Sequence, residues 1–141
     1  MPARLLHHIT IQVRDLEKTK NFYCEIVGLR VGERPPLNFP GYWLYCGDQP
    51  VVHLLGYRAE DKPINDGPSY PASTGRFDHV AFNCDDLKGM RAKLQAHGVR
   101  YEERVLPRMN MTQLFYKDPD GVTVECNFDA KETEVADSKG Y

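Results

Sequence analysis

The chain predicts an α+β fold made of two tandem modules, each running strand, helix, strand, strand, strand (βαβββ), and three internal matches carry that prediction. His8-Ile9-Thr10-Ile11-Gln12-Val13-Arg14-Asp15-Leu16 aligns without gaps on His79-Val80-Ala81-Phe82-Asn83-Cys84-Asp85-Asp86-Leu87, alike in kind throughout and identical at the histidine, the aspartate before the leucine, and the leucine. An alternating strand followed by a capped helix is thus written twice. Gly28-Leu29-Arg30-Val31-Gly32-Glu33 then falls on Gly98-Val99-Arg100-Tyr101-Glu102-Glu103 after a slip of one residue, so both copies stop their helices and restart as strands together. Finally, Tyr42 to Tyr45, a turn, and Val51 to Leu54 match Gln113 to Tyr116, a turn, and Thr123 to Cys126.

The elements follow in order. Leu6 to Val13 alternates as a strand, Asp15 caps a helix carrying Leu16, Phe22, Tyr23, Ile26 and Val27, and Gly28 supplies its left-handed stop. In the second copy Asp85 or Asp86 caps a helix with Leu87, Met90 and Leu94, and Gly98 ends it. Two turns, Cys46-Gly47-Asp48-Gln49-Pro50 and Lys117-Asp118-Pro119-Asp120-Gly121, mark the closing hairpins through self-capping aspartate, fixed-φ proline and positive-φ glycine. A single domain is expected over residues 1–128, with modules at 4–56 and 77–128, a linker at 57–76 rich in Pro, Gly, Ser and Asp, and a charged tail at 129–141 that has little to bury. The linker and the segment 104–111 are expected to border the mouth of any site.

Composition narrows the function classes. With 141 residues, 41% of them hydrophobic, the chain is large enough to bury well over half of its unfolded surface. A net charge of −2 provides no basic field for nucleic acid or an anionic membrane. The apolar runs are too short to span a bilayer, and no charged-then-apolar signal segment is recognised, so a soluble cytoplasmic protein is the expectation. The four cysteines, Cys24, Cys46, Cys84 and Cys126, lack CxxC spacing and read as ordinary buried or half-buried thiols.

Strand side chains alternate between faces, which turns parity into a site prediction. Ile9, Ile11 and Val13 form an apolar set opposite His8, Thr10 and Gln12; Val80, Phe82 and Cys84 stand opposite His79, Ala81 and Asn83; Val122, Val124 and Cys126 stand opposite Thr123, Glu125 and Asn127. Helices covering the apolar faces leave imidazoles, amides and a carboxylate lining a cupped cavity. His53 is the single polar group in a strand that is otherwise aliphatic on both parities. A carboxylate in an apolar strand such as Glu125 needs a partner, and a cation is the obvious one. His97, before Gly98, sits where a helix dipole favours a cation and needs no catalytic reading.

The runs His7 to Leu16 with Asn21-Phe22-Tyr23, Phe77 to Phe82, and Phe115 to Glu125 resemble the vicinal oxygen chelate superfamily, the glyoxalase, bleomycin-resistance and extradiol-dioxygenase group, over roughly residues 4 to 128. The resemblance implies two βαβββ modules forming a half-open mixed β-barrel around a divalent metal. It implies ligands at the first and last strands of each module, here His8, His53, His79 and Glu125, of which His8, His79 and Glu125 match the usual three. The remaining slot, typically Glu in glyoxalase I, holds His53, which is either a fourth ligand or a neighbouring proton carrier. Imidazoles with one carboxylate suit Zn, Ni, Fe, Co or Mn rather than the all-oxygen shells of Ca and Mg.

Three activities are compatible with this resemblance. One is a metal-dependent lyase or isomerase whose small-molecule substrate chelates the metal through vicinal oxygens, with enediolate stabilisation and with Glu125, a metal-bound hydroxide or His53 moving the proton. The alternative is an Fe(II)-dependent extradiol-type ring-cleaving dioxygenase, with His53, Tyr45 or Tyr116 handling protons. The third is a metal-dependent thiol transferase acting in antibiotic resistance. A homodimer is expected, because relatives pair their modules within or between subunits.

Overall fold

A computed structural model describes residues 2–56 and 74–129. The linker at 57–76 falls outside them except at 74–76, and so does the tail beyond Asp129. The chain divides into two compact units, Met1–Ala72 and Ser73–Tyr141. Among the described residues no helix is long and apolar enough to cross a membrane.

Unit one contains β1 (Ile9–Gln12), α1 (Leu16–Phe22), a π-helical turn (Tyr23–Val27), β2 (Arg30–Gly32), β3 (Gly41–Cys46) and β4 (Gln49–Leu55). Unit two contains β5 (His79–Asn83), α2 (Leu87–Ala96), β6 (Tyr101–Leu106), β7 (Met111–Lys117) and β8 (Thr123–Phe128). The two sheets have the same order, β1-β4-β3-β2 and β5-β8-β7-β6. In each, the first strand pairs parallel with the last, and the other pairings are antiparallel. The repeat read from the sequence is therefore structural, down to register: Thr10 and Trp43 flank His53 as Ala81 and Phe115 flank Glu125.

The caps work as the side chains require. Asp15 accepts from the Lys18 N–H at 3.1 Å, and in the second copy it is Asp86, in a left-handed conformation with φ 66°, that accepts from the Gly89 N–H at 3.0 Å. Gly28 takes φ 96°. Its N–H and that of Leu29 both return to the Tyr23 carbonyl, at 3.0 and 2.9 Å. The helix thus widens into a π turn before it stops, with Phe22, Tyr23 and Ile26 all buried. α1 packs on β3 and β4, over a core that includes Leu44, Val52 and Leu54. In unit two Leu87, Met90 and Leu94 of α2 are buried, as are Leu114, Tyr116, Val124, Cys126 and Phe128 of the sheet.

β1 is shorter than the alternation from Leu6 suggests. Leu5 and Leu6 are 83% and 79% exposed, so no burial holds the chain in the ladder before Ile9, and His8 lies one residue ahead of the strand. None of the four cysteines forms a disulfide, and Cys46, expected to be sheltered, is exposed at the end of β3, where the chain leaves the sheet for its turn.

The β7–β8 turn is organised by one carboxylate. Buried Asp118 accepts from the N–H groups of Asp120 (2.8 Å) and Val122 (2.9 Å), and Gly121 closes the turn at φ 89°. These bonds fix where β8 begins, and hence which residues face each side of the sheet. Asp118→Ala leaves two backbone donors without that acceptor and is expected to destabilise the protein by about 2 kcal/mol, the range for hydrogen bonds to charged groups. Chemical denaturation at neutral pH measures it, and a loss below about 0.5 kcal/mol would contradict the role assigned to Asp118.

Candidate functional site

In unit two the parallel pairing of β5 with β8 sets Ala81 opposite Glu125. A methyl side chain there leaves room for the larger His79, two residues earlier on the same face. The His79 Nε2 lies 3.3 Å from Glu125 Oε1. Each partner is held on its far side: His79 Nδ1 is 2.8 Å from Asp78 Oδ2, and Asn127 Nδ2 donates to Glu125 Oε2 at 2.9 Å. Gln113 Nε2 in turn donates to Asn127 Oδ1 at 3.0 Å. The Phe115 and His79 rings are nearly perpendicular, with centroids 6.4 Å apart. Glu125 and Gln113 are each only 8% exposed.

When the His79 ring is neutral with its proton on Nδ1 toward Asp78, unprotonated Nε2 faces carboxylate Oε1, and two such acceptors at 3.3 Å need a cation or a proton between them. Donor atoms each about 2.0–2.2 Å from a transition metal, at bond angles between right-angled and tetrahedral, are about 3.0–3.5 Å apart. The pair therefore has the bite that a metal ion needs.

Unit one answers with aromatic stacking. The His53 ring lies between Trp43 (centroids 4.2 Å, planes 13° apart) and His8 (3.8 Å, 9°). His53 Nε2 donates to the Pro50 carbonyl at 3.0 Å, which leaves Nδ1 as the acceptor, and among the described residues Nδ1 has no partner. His8 Nδ1 is 2.7 Å from His7 Nδ1, and its Nε2 has no hydrogen-bond partner among the described residues. A metal ligated by both His8 and His53 would have to lie in both ring planes. Planes so nearly parallel meet far outside the roughly 2.0–2.1 Å reach of an imidazole ligand. Burial, reinforced by the neighbouring His8, pushes the His53 imidazole below its ordinary range, against the opposing bond to Pro50.

The four sequence-predicted residues thus come as two pairs, one within each unit: His8 with His53, and His79 with Glu125. Among the described residues, no group of three or more His, Cys, Asp and Glu side chains is assembled for a metal.

Residues 5–126 match the family described as the Glyoxalase/Bleomycin resistance protein/Dioxygenase superfamily. The chain belongs to that superfamily. Among its relatives in the superfamily, Glyoxylase I 4 of Arabidopsis thaliana is 31% identical over 129 residues, covering 89% of this chain and 71% of that protein. Glutathione transferase FosA of Serratia marcescens is 27% identical over 122 residues, covering 85% of this chain and 77% of that one. The crystal structure of a glyoxalase/dioxygenase from Nostoc punctiforme superposes with a TM-score of 0.67 at 20% identity, over 89% of this chain and 91% of that chain, which establishes the shared fold.

One superfamily expectation needs correction. Tyr116 is turned into the core, where its hydroxyl meets Met90 Sδ (3.8 Å) and Cys126 Sγ (3.1 Å), and burial pushes its pKa up. It lies on the face opposite Glu125 and cannot handle a proton there. The residues that sequence reasoning passed over are Trp43 and Gln113. Their only signal was the register that sets Trp43 across from His53 and Gln113 across from Asn127.

His53 is expected to titrate below the ordinary imidazole value of about 6.5 in metal-free protein. On acidification the unfolded chain then takes up this proton first. The stability linked to His53 is therefore present above about 6.5 and is lost as pH falls through that value toward the lower folded pKa. Histidine ring signals followed by NMR against pH give the value directly; a midpoint at or above that of a free imidazole would contradict the sheltering described.

Proposed function

We propose that the protein is a metal-dependent enzyme of glyoxalase type, a lyase or isomerase acting on a small molecule with vicinal oxygens. The observation that carries this reading is the opposed pair His79 Nε2 and Glu125 Oε1, 3.3 Å apart and each oriented from behind by Asp78 or Asn127. In this reading His79, Glu125 and His8 hold one divalent transition metal, Zn, Ni, Fe, Co or Mn. One chain, or two copies paired as a homodimer, contributes the three. A bound metal supplies Lewis-acid polarisation of the substrate's vicinal oxygens.

The other steps belong to the side chains. Asp78, by holding the His79 Nδ1 proton, keeps Nε2 in its ligating form. His53, with Nε2 tied to Pro50 and its ring kept neutral by burial, takes a substrate proton at Nδ1 and returns it from the same atom. Trp43 and His8 clamp the ring that carries this proton. A second reading, thiol transfer to an antibiotic, is supported by the likeness to glutathione transferase FosA. Proton exchange with hemithioacetals supports the first reading, thiol adduct formation the second, and oxygen uptake with catechols would point instead to a ring-cleaving dioxygenase.

Protein purified without added metal is expected to contain about one transition-metal ion per site, and His79→Ala to lose most of it on elemental analysis. Full retention by His79→Ala would refute the ligand set. Ligating histidines must be deprotonated, so occupancy falls as pH drops through the histidine range. His53→Ala, by contrast, is expected to keep wild-type metal content and lose about 10²–10⁴-fold in turnover, the span of general acid–base assistance. Loss of metal in that variant would make His53 a ligand instead. For assembly, light scattering at micromolar concentration is expected to give a dimer, isologous pairing being the commonest oligomeric arrangement; a monomer refutes it.

A further inference from the structure

The amide pair Gln113 and Asn127 has no counterpart in the first module. By register Gln113 faces Asn127 two residues beyond the Phe115 and Glu125 pair, whereas Gly41 faces Leu55 two residues beyond Trp43 and His53. The polar pair accompanies the carboxylate and is missing beside the imidazole. Its hydrogen bonds run in one direction: Gln113 Nε2 donates to Asn127 Oδ1, and Asn127 Nδ2 donates to Glu125 Oε2. An amide has one acceptor end and one donor end. By occupying the acceptor end of Asn127, Gln113 obliges the donor end to face the carboxylate.

We infer that Gln113 and Asn127 form a relay of positioning residues that locks the Glu125 carboxylate, engaging Oε2 so that Oε1 alone is presented to His79 and to the metal. This rests on the metal reading given above. Without Gln113, the Asn127 side chain loses the bond that holds its orientation, and the carboxylate loses its fixed anchor. Gln113 therefore acts only through Asn127, and the two contributions are not additive.

Zinc affinity of the full chain, measured by competition with a chromophoric chelator, tests the relay. Asn127→Leu and Gln113→Leu are each expected to weaken zinc binding by about 10- to 100-fold, as loss of groups that orient metal ligands does, with thermal melting confirming that both variants fold. In the Asn127→Leu background, Gln113→Leu is expected to change affinity no further. Wild-type affinity in Asn127→Leu, or full additivity in the double variant, overturns the inference. A second measurement needs neither metal nor a folded variant. In heteronuclear NMR of the wild-type protein, the Asn127 side-chain amide is expected to exchange slowly with water and to show proximity to Gln113; rapid exchange, as for a free surface amide, overturns the relay. If the wild-type protein binds no zinc at all, the metal reading fails, while the amide signal still decides the relay.

Discussion

An ionised carboxylate in the interior strand of a sheet is the constraint around which the second module is arranged. Glu125 sits in β8 between β5 and β7, with Val124 and Cys126 on either side turned to the core. Leaving such a charge buried without donors would cost several kcal/mol. The residues around it are placed accordingly. Asn127 supplies a donor, Gln113 fixes which end of Asn127 is presented, and Ala81 opposite leaves the volume into which His79 reaches. The turn at Asp118 sets the start of β8 and so keeps this alternation in phase, because a slip of one residue would send Glu125 into the apolar core and Val124 out of it.

The two modules share a backbone plan and diverge in how they support the same position. His53 and Glu125 occupy equivalent places in β4 and β8, each flanked by an aromatic residue in the antiparallel neighbour. A neutral imidazole is well served by contact with its faces, and Trp43 and His8 provide it. A carboxylate gains little from ring faces, whose electron density repels it, and requires N–H groups. Phe115 accordingly stands perpendicular to the His79 ring, and the amides serve Glu125.

Much of this arrangement could be read from residues alone. The paired His-to-Leu runs, Asp15 and the Asp85-Asp86 pair before their helices, Gly28 and Gly98 after them, and the Asp118 turn are local signals whose meaning does not depend on the rest of the chain. The polar parity of His79, Asn127 and Glu125 was equally legible, because their neighbours in sequence are apolar. Less was legible in β7, where Gln113-Leu114-Phe115-Tyr116 carries large side chains on both parities, so Tyr116 looked as available as Phe115 and proved to be buried. The relay between Gln113 and Asn127 depends on a cross-strand register and on amide orientation, and neither is a property of one segment. The π turn at Tyr23–Val27 was hidden because its apolar residues also satisfy an ordinary helix.

His53 stands at the place in β4 that Glu125 takes in β8, and its surroundings suit an imidazole rather than a carboxylate. A glutamate introduced at that position alone would meet Gly41 and Leu55 where Glu125 meets Gln113 and Asn127, and would lie between the Trp43 and His8 rings with no amide donor from that pair. The imidazole suits those neighbours: it donates once to Pro50, offers its faces to the stack, and keeps one nitrogen for a proton. The division of labour follows from that difference in support. The module with amide donors can hold a fixed negative charge, and the module with stacked rings can hold a neutral imidazole, so one duplicated framework supports two different chemistries at the same strand position.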